Sequence, residues 1–201
     1  MNNEIVRLTT LNASHRVILL HGWGAEADDL LPIGESLMKD CSTPLELVSM
    51  NAPYKQSQGI GREWYPLFPP DWTKVPSAIS KLQSRIRDIS SDEIPIEKTF
   101  LFGFSQGAAM ALSSGCDLPV AGLIICSGYP HPDWNVPFKM PPVLLSHGQY
   151  DEVVPLEASR KIQQMIASKT TEVEVEIFSG GHEIPKRLMP TFIDFINKLI
   201  L

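Results

Sequence analysis

Gly103-Phe104-Ser105-Gln106-Gly107 is a G-x-S-x-G, the pattern that exposes a serine hydroxyl on a sharp turn between a strand and a helix. That hydroxyl is a weak nucleophile at neutral pH and attacks a carbonyl only when a neighbouring base takes its proton. Five histidines are available. His15 lies in a polar run and is expected at the surface. His131, between Pro130 and Pro132, is expected to be exposed. His21 and His147 end apolar runs in His-Gly pairs, positions that suit rings bonded to backbone. His182, in Ser179-Gly180-Gly181-His182-Glu183, follows the last apolar run before the C-terminal helical segment, behind glycines that let its loop reach across. It is the expected base. A base of this kind needs a carboxylate to orient its ring and stabilise the imidazolium. His147-Gly148-Gln149-Tyr150-Asp151-Glu152-Val153-Val154-Pro155 offers two, Asp151 and Glu152. Both qualify by chemistry, and the shorter Asp151 is chosen because it can turn back from its loop. Serine, acid and histidine then follow in the chain order Ser…Asp…His.

Acyl transfer also needs donors for the developing oxyanion. The backbone N–H of Gln106, directly after the serine at a helix start, is one. Trp23, in His21-Gly22-Trp23-Gly24, is the expected source of the second.

These residues must be brought together by the elements between them. Short apolar runs alternate with longer segments of helical periodicity. Strands are expected at Ile5–Leu8, Arg16–Leu20, Leu45–Met50, Thr99–Phe104, Val120–Cys126, Val143–Ser146 and Glu172–Phe178. Helices are expected at about 28–39, 75–89, 105–114, 156–167 and 185–199. Phe100-Leu101-Phe102 and Gly122-Leu123-Ile124-Ile125 are apolar throughout, as strands covered on both faces are. Glu172-Val173-Glu174-Val175-Glu176-Ile177 alternates, as a strand near a sheet edge with one wet face does. The order predicts an α/β fold with a mostly parallel central sheet and helices on both faces, in one domain over residues 1–201. Two Pro-rich stretches interrupt the rhythm, 51–72 and 128–142. The first carries Trp64, Tyr65, Leu67, Phe68 and Trp72, which are expected to wall an acyl pocket.

Composition narrows the class further. The chain has 201 residues, a net charge of −6 and no Lys/Arg-rich run, which argues against a nucleic-acid partner. No apolar run approaches the roughly 20 residues of a membrane span. The polar start, Met1 to Leu11, does not read as a signal peptide. Cys41, Cys116 and Cys126 form no C-x-x-C pair, and an odd count suits reduced thiols in the cytoplasm.

Taken jointly, Leu20-His21-Gly22-Trp23-Gly24, the G-x-S-x-G, His147 to Pro155 and Gly181-His182 resemble the phospholipase/carboxylesterase family. Asn51-Ala52-Pro53 and Arg62-Glu63-Trp64-Tyr65 are similar to its Ala-Pro and Arg-x-Trp-Phe/Tyr elements. The resemblance spans about Val17 to the C-terminus. It implies an α/β-hydrolase fold without a large cap domain, and hydrolysis of carboxylic esters or thioesters with no metal and no cofactor. By position it implies a Ser105–Asp151–His182 triad with Trp23 and Gln106 at the oxyanion. The chain departs from the family pattern at Trp23, where Leu is usual, at Ala25, at Gly59-Ile60-Gly61 and at Pro66. Those departures bear on the substrate, a small-molecule or lipid-like ester, rather than on the chemistry. Exposed aromatics near the site are compatible with a homodimer or a lipid-facing mouth. The competing expectations are a non-catalytic small-ligand receptor on the same scaffold and a peptidase or amidase on the same triad.

Overall fold

The computed structural model describes residues 5–56, 59–170 and 172–200. The first four residues of the polar N-terminal stretch therefore lie outside it. Seven strands form one sheet: β1 (Ile5–Thr9), β2 (His15–Leu20), β3 (Leu45–Met50), β6 (Thr99–Phe104), β7 (Gly122–Cys126), β8 (Val143–Gly148) and β9 (Val173–Phe178). Their spatial order is β1-β3-β2-β6-β7-β8-β9. All neighbours run parallel except β1, which pairs antiparallel with β3 along Ile5↔Met50 to Thr9↔Glu46. This is the mostly parallel α/β sheet expected from the alternation of apolar runs.

The alternation of side chains along each strand builds two cores. Ile18, Leu20, Val48, Leu101, Ile125 and Leu145 face one side, packed with residues of α2 (Val75–Asp88), α3 (Gln106–Gly115) and α4 (Leu156–Ile166). Val17, Leu19, Leu47, Phe100, Phe102 and Leu144 face the other, under α1 (Leu31–Asp40) and α5 (Met189–Ile200). Strands buried on both faces need apolar residues at every position, which is why β6 and β7 read as unbroken apolar runs. β9 closes one edge, as its strict alternation predicts, but the wetter face carries Val175 and Ile177, while Glu174 and Glu176 are half-buried and Glu174 pairs with Lys198 of α5.

The Pro-rich stretch 51–72 has structure of its own. Two-residue strands β4 (Tyr54–Lys55) and β5 (Arg62–Glu63) form a small antiparallel ribbon, paired Tyr54↔Glu63 and Lys55↔Arg62. It lies beside the carboxyl ends of the parallel strands, the end at which an open α/β sheet presents its site.

Candidate active site

Ser105 stands alone between β6 and α3 with φ 55° and ψ −119°, a backbone conformation strained for any residue with a side chain. The turn is tight enough that both flanking positions exclude a methyl group. A Cβ at Gly103 would lie 2.4 Å from the Gly107 carbonyl oxygen, and one at Gly107 would lie 2.0 Å from that of Leu20. The serine amide donates to Cys126 O on β7 at 2.9 Å, which fixes the elbow to the sheet.

Asp151 and His182 arrive on the loops after β8 and β9, and these loops are laced together. Gln149 N donates to Phe178 O at 2.8 Å and Tyr150 N to Gly180 O at 2.9 Å. His182 Nδ1 lies 2.8 Å from Asp151 Oδ2, and its Nε2 lies 2.9 Å from Ser105 Oγ. An ionised carboxylate only accepts, so Nδ1 carries the proton and the Nε2 lone pair receives the serine O–H. Phe104 packs its ring 4.8 Å from the imidazole centroid and limits its tilt. The second Asp151 oxygen accepts from Val153 N and Val154 N, each at 2.9 Å. Burial pushes the Asp151 pKa upward, but the bonds from His182, Val154 and Val153 outweigh it and hold the carboxyl below its usual value.

His147 anchors this loop. Its Nε2 donates to Val154 O at 2.8 Å, which leaves Nδ1 to accept from Ser159 Oγ at 2.6 Å. His21 is fixed the same way: Nδ1 donates to Gly22 O at 2.7 Å and Nε2 accepts from Ala52 N at 3.0 Å. Both rings are buried and committed to the backbone, as their His-Gly positions suggest.

The loop after β2 abuts Ser105. A Cβ at Gly22 would lie 3.3 Å from Ser105 Cβ. The backbone N–H groups of Trp23 and Gln106 donate to no other group among the described residues, so both are available to an oxyanion beside Ser105. The Gln106 side chain has a second task that its motif does not announce. Its Oε1 accepts from Trp64 N at 3.0 Å and its Nε2 donates to Tyr65 O at 2.8 Å, clamping the segment after β5 to the first turn of α3.

Two clefts open at Ser105 and His182, with Trp23 bordering both. The larger, of about 730 Å³, runs between α1 and the start of α5, with Asp29, Asp40, Glu183 and Lys186 among its walls. The smaller, of about 370 Å³, is walled by Leu67, Phe68, Tyr129, Val153, Val154 and Ala158 and has no Asp, Glu, Lys or Arg among its described lining residues. Trp23 is 37% exposed, held by a 2.9 Å bond from its Nε1 to Glu63 Oε2 and by an edge-to-face contact with Phe68. Of the five residues expected to wall an acyl pocket, Leu67 and Phe68 lie in this cleft. Trp64 and Tyr65 do not: they are 1% and 0% exposed and belong to the core. Trp64 Nε1 donates to His21 O at 2.9 Å, and Trp72 borders a separate cleft beside His131. The bond to His21 O claims the Trp64 ring, and bonds to Tyr129 and His131 claim that of Tyr65, before a substrate could. Tyr129, Val153, Val154 and Ala158 also line the smaller cleft, and nothing in an aliphatic or tyrosine side chain marks it as cleft-lining until the loops are folded.

His131 is likewise buried rather than exposed. Its Nδ1 pairs with Ser113 Oγ at 2.8 Å and its Nε2 with Tyr65 Oη at 2.9 Å, and Tyr65 Oη meets Tyr129 Oη at 2.7 Å. Burial lowers its pKa to about 4 and raises that of Tyr129 to about 12. The relay therefore stays neutral across the physiological range and holds the ring of Tyr129 against the smaller cleft.

The family model described as Phospholipase/Carboxylesterase matches residues 1–200. The chain belongs to the phospholipase/carboxylesterase family. Like other members it is a carboxylic ester hydrolase, and its sheet is that of the α/β-hydrolase fold. Acyl-protein thioesterase 1 of Eremothecium gossypii is 24% identical over 92% of this chain and 88% of its own. The crystal structure of esterase PE8 superposes with a TM-score of 0.85 at 29% identity, covering 96% of this chain and 97% of that one. The carboxylesterase of Bacillus cereus shares the fold, with a TM-score of 0.84 at 15% identity over 97% of this family member and 93% of that chain. Among the described residues, no helix is long and apolar enough to cross a membrane.

Proposed function

We propose that this chain cleaves carboxylic esters and thioesters through an acyl-enzyme on Ser105. The observation that carries the reading is the unbroken line Ser105 Oγ–His182 Nε2 at 2.9 Å and His182 Nδ1–Asp151 Oδ2 at 2.8 Å. Ser105 Oγ attacks the carbonyl carbon as His182 Nε2 takes its proton. The oxyanion is received by the N–H groups of Trp23 and Gln106, the latter at the positive end of α3. The imidazolium, stabilised by Asp151, returns the proton to the departing alkoxide or thiolate. Water then attacks the acyl carbon as it loses a proton to His182, which returns that proton to Ser105 Oγ as the acid departs.

The acyl group occupies the smaller cleft, whose aliphatic and aromatic walls offer nothing for a charged chain to pair with, and the leaving group occupies the larger. Thioesters are included because several curated relatives are named acyl-protein thioesterases. The three cysteines are free, which supports a reducing, cytoplasmic setting.

Initial rates on a nitrophenyl ester series from acetate to palmitate test the reading. Ser105→Ala should lower turnover by about 10⁶-fold, and a serine-directed phosphonate should label the wild type and not the variant. Full activity in Ser105→Ala would overturn it, as would folded wild type that neither turns over an ester nor reacts with the phosphonate. Ala158→Phe, which fills the smaller cleft, should shift the chain-length optimum toward acetate and cut rates on the longest esters by about tenfold or more. An unchanged optimum would mean that the acyl chain lies elsewhere.

A further inference from the structure

A further cleft, of about 280 Å³, lies behind Trp64 and does not include Ser105. Ala52, Leu82 and Trp64 are among its walls, and Arg62, Lys81 and Arg85 bring basic side chains to it, with no carboxylate among the described lining residues. Lys81 and Arg85 are one turn apart on α2 and so share a face, while Arg62 comes from β5. Backbone carbonyls orient the two guanidinium groups: Arg62 Nη1 donates to Ala52 O at 2.9 Å and Arg85 Nη1 to Asn51 O at 2.8 Å. Lys81 Nζ meets the Tyr54 hydroxyl at 3.0 Å. Neither Arg62 nor Lys81 has a carboxylate within 4.0 Å among the described residues.

We propose that this cleft binds a small multivalent oxyanion of the phosphate class, and that its occupancy steadies the oxyanion loop of the active site. Guanidinium and ammonium groups together match a phosphate better than any neutral ligand, through charge-assisted hydrogen bonds. Its volume, near the lower end of the roughly 300–1,000 Å³ of small-ligand sites, suits inorganic phosphate or a small phosphomonoester. The link to the oxyanion loop is made by Arg62 itself. Gly24 N donates to Arg62 O at 2.9 Å, and Arg62 N donates to Ala25 O at 3.0 Å. The residue that grips the anion with its side chain therefore holds the loop carrying the Trp23 N–H with its backbone. A ligand that restrains Arg62 restrains that loop.

Inorganic phosphate is the probe, titrated by calorimetry into the full chain at fixed ionic strength set with chloride. The wild type should show saturable 1:1 binding, and so should enzyme already phosphonylated at Ser105, because the cleft does not include that residue. Lys81→Glu, at an exposed position, should weaken binding by about tenfold or more, and Arg85→Gln should do the same. Hydrogen exchange at the Gly24 and Arg62 amides should slow in phosphate, in the wild type and not in Lys81→Glu. Binding that is absent from the wild type, survives Lys81→Glu or is lost on phosphonylation would overturn the site. Binding with unchanged exchange at those two amides would overturn the coupling. Phosphate binding to the unmodified wild type and its loss in Lys81→Glu do not depend on whether Ser105 reacts, so failure here is distinguishable from failure of the esterase reading, on which the coupling to the oxyanion loop rests.

Discussion

A carboxylate that accepts three well-placed bonds cannot easily be replaced by its own amide. Asp151 spends one oxygen on Val153 N and Val154 N and the other on His182 Nδ1. In Asp151→Asn the amide oxygen is the better partner for the two backbone donors, so the NH₂ group faces the imidazole. His182 must then present a lone pair at Nδ1, its proton moves to Nε2, and it can no longer receive the serine hydrogen. Turnover should fall by about 10⁴-fold with little change in KM, checked on one nitrophenyl ester. A variant within tenfold of wild type would show that His182 does not depend on Asp151. At this scale the sequence carried the proposed chemistry: motif, order and position after apolar runs single out Ser105, Asp151 and His182, and the fold brings these three within hydrogen-bond distance of one another. What it did not carry was orientation. Trp64, Tyr65 and Trp72 sit in the same aromatic loop as Leu67 and Phe68, yet bonds to His21 O, Gln106 and Tyr129 turn two of those rings inward.

The elements act by bringing backbone close to backbone. The elbow works because α3 begins against the end of β2, with Gly107 touching the carbonyls of Leu20 and His21. A Cβ there would meet two backbone oxygens, at 2.0 and 2.4 Å, which cannot swing aside as a side chain could. Gly107→Ala should therefore push α3 off the sheet. The expected loss is about 1–3 kcal/mol in urea unfolding, with a fall in turnover beyond that of an equally destabilised core variant, because the Gln106 N–H moves with the helix. Wild-type stability and rate in Gly107→Ala would contradict the close packing. The seven strands and five helices were readable because each needs an apolar face of its own period. The β4–β5 ribbon was not, since two residues per strand show no period. Its positions are set by tertiary bonds, Arg62 N to Ala25 O among them. The α5 segment began later than its pattern suggested, behind a 3₁₀ turn over Lys186–Leu188.

At the scale of the whole molecule, the second Pro-rich stretch is tied down by a buried polar relay rather than by apolar packing alone. His131 reaches Ser113 on α3 through one nitrogen and Tyr65 through the other, so a single ring joins the loop after β7, the helix after the nucleophile and the segment after β5. Burial lowers its pKa from 6.5 to about 4. The unfolded chain therefore binds a proton at higher pH than the folded one does. The neutral ring's contribution is fully present above pH 6.5 and is lost as pH falls toward 4, amounting to about 3 kcal/mol over that window. Carboxylates lose stability at the lower end of the same range, so the decisive comparison is between the wild type and His131→Asn. Urea midpoints at pH 7.5, 6.5, 5.5 and 4.5 should fall more steeply for the wild type, with the variant less stable at pH 7.5 and the two converging on acidification. Parallel slopes would mean that His131 is free to take its proton in the folded state, and that the relay holding Tyr129 against the smaller cleft is looser than its bond lengths of 2.7 to 2.9 Å require.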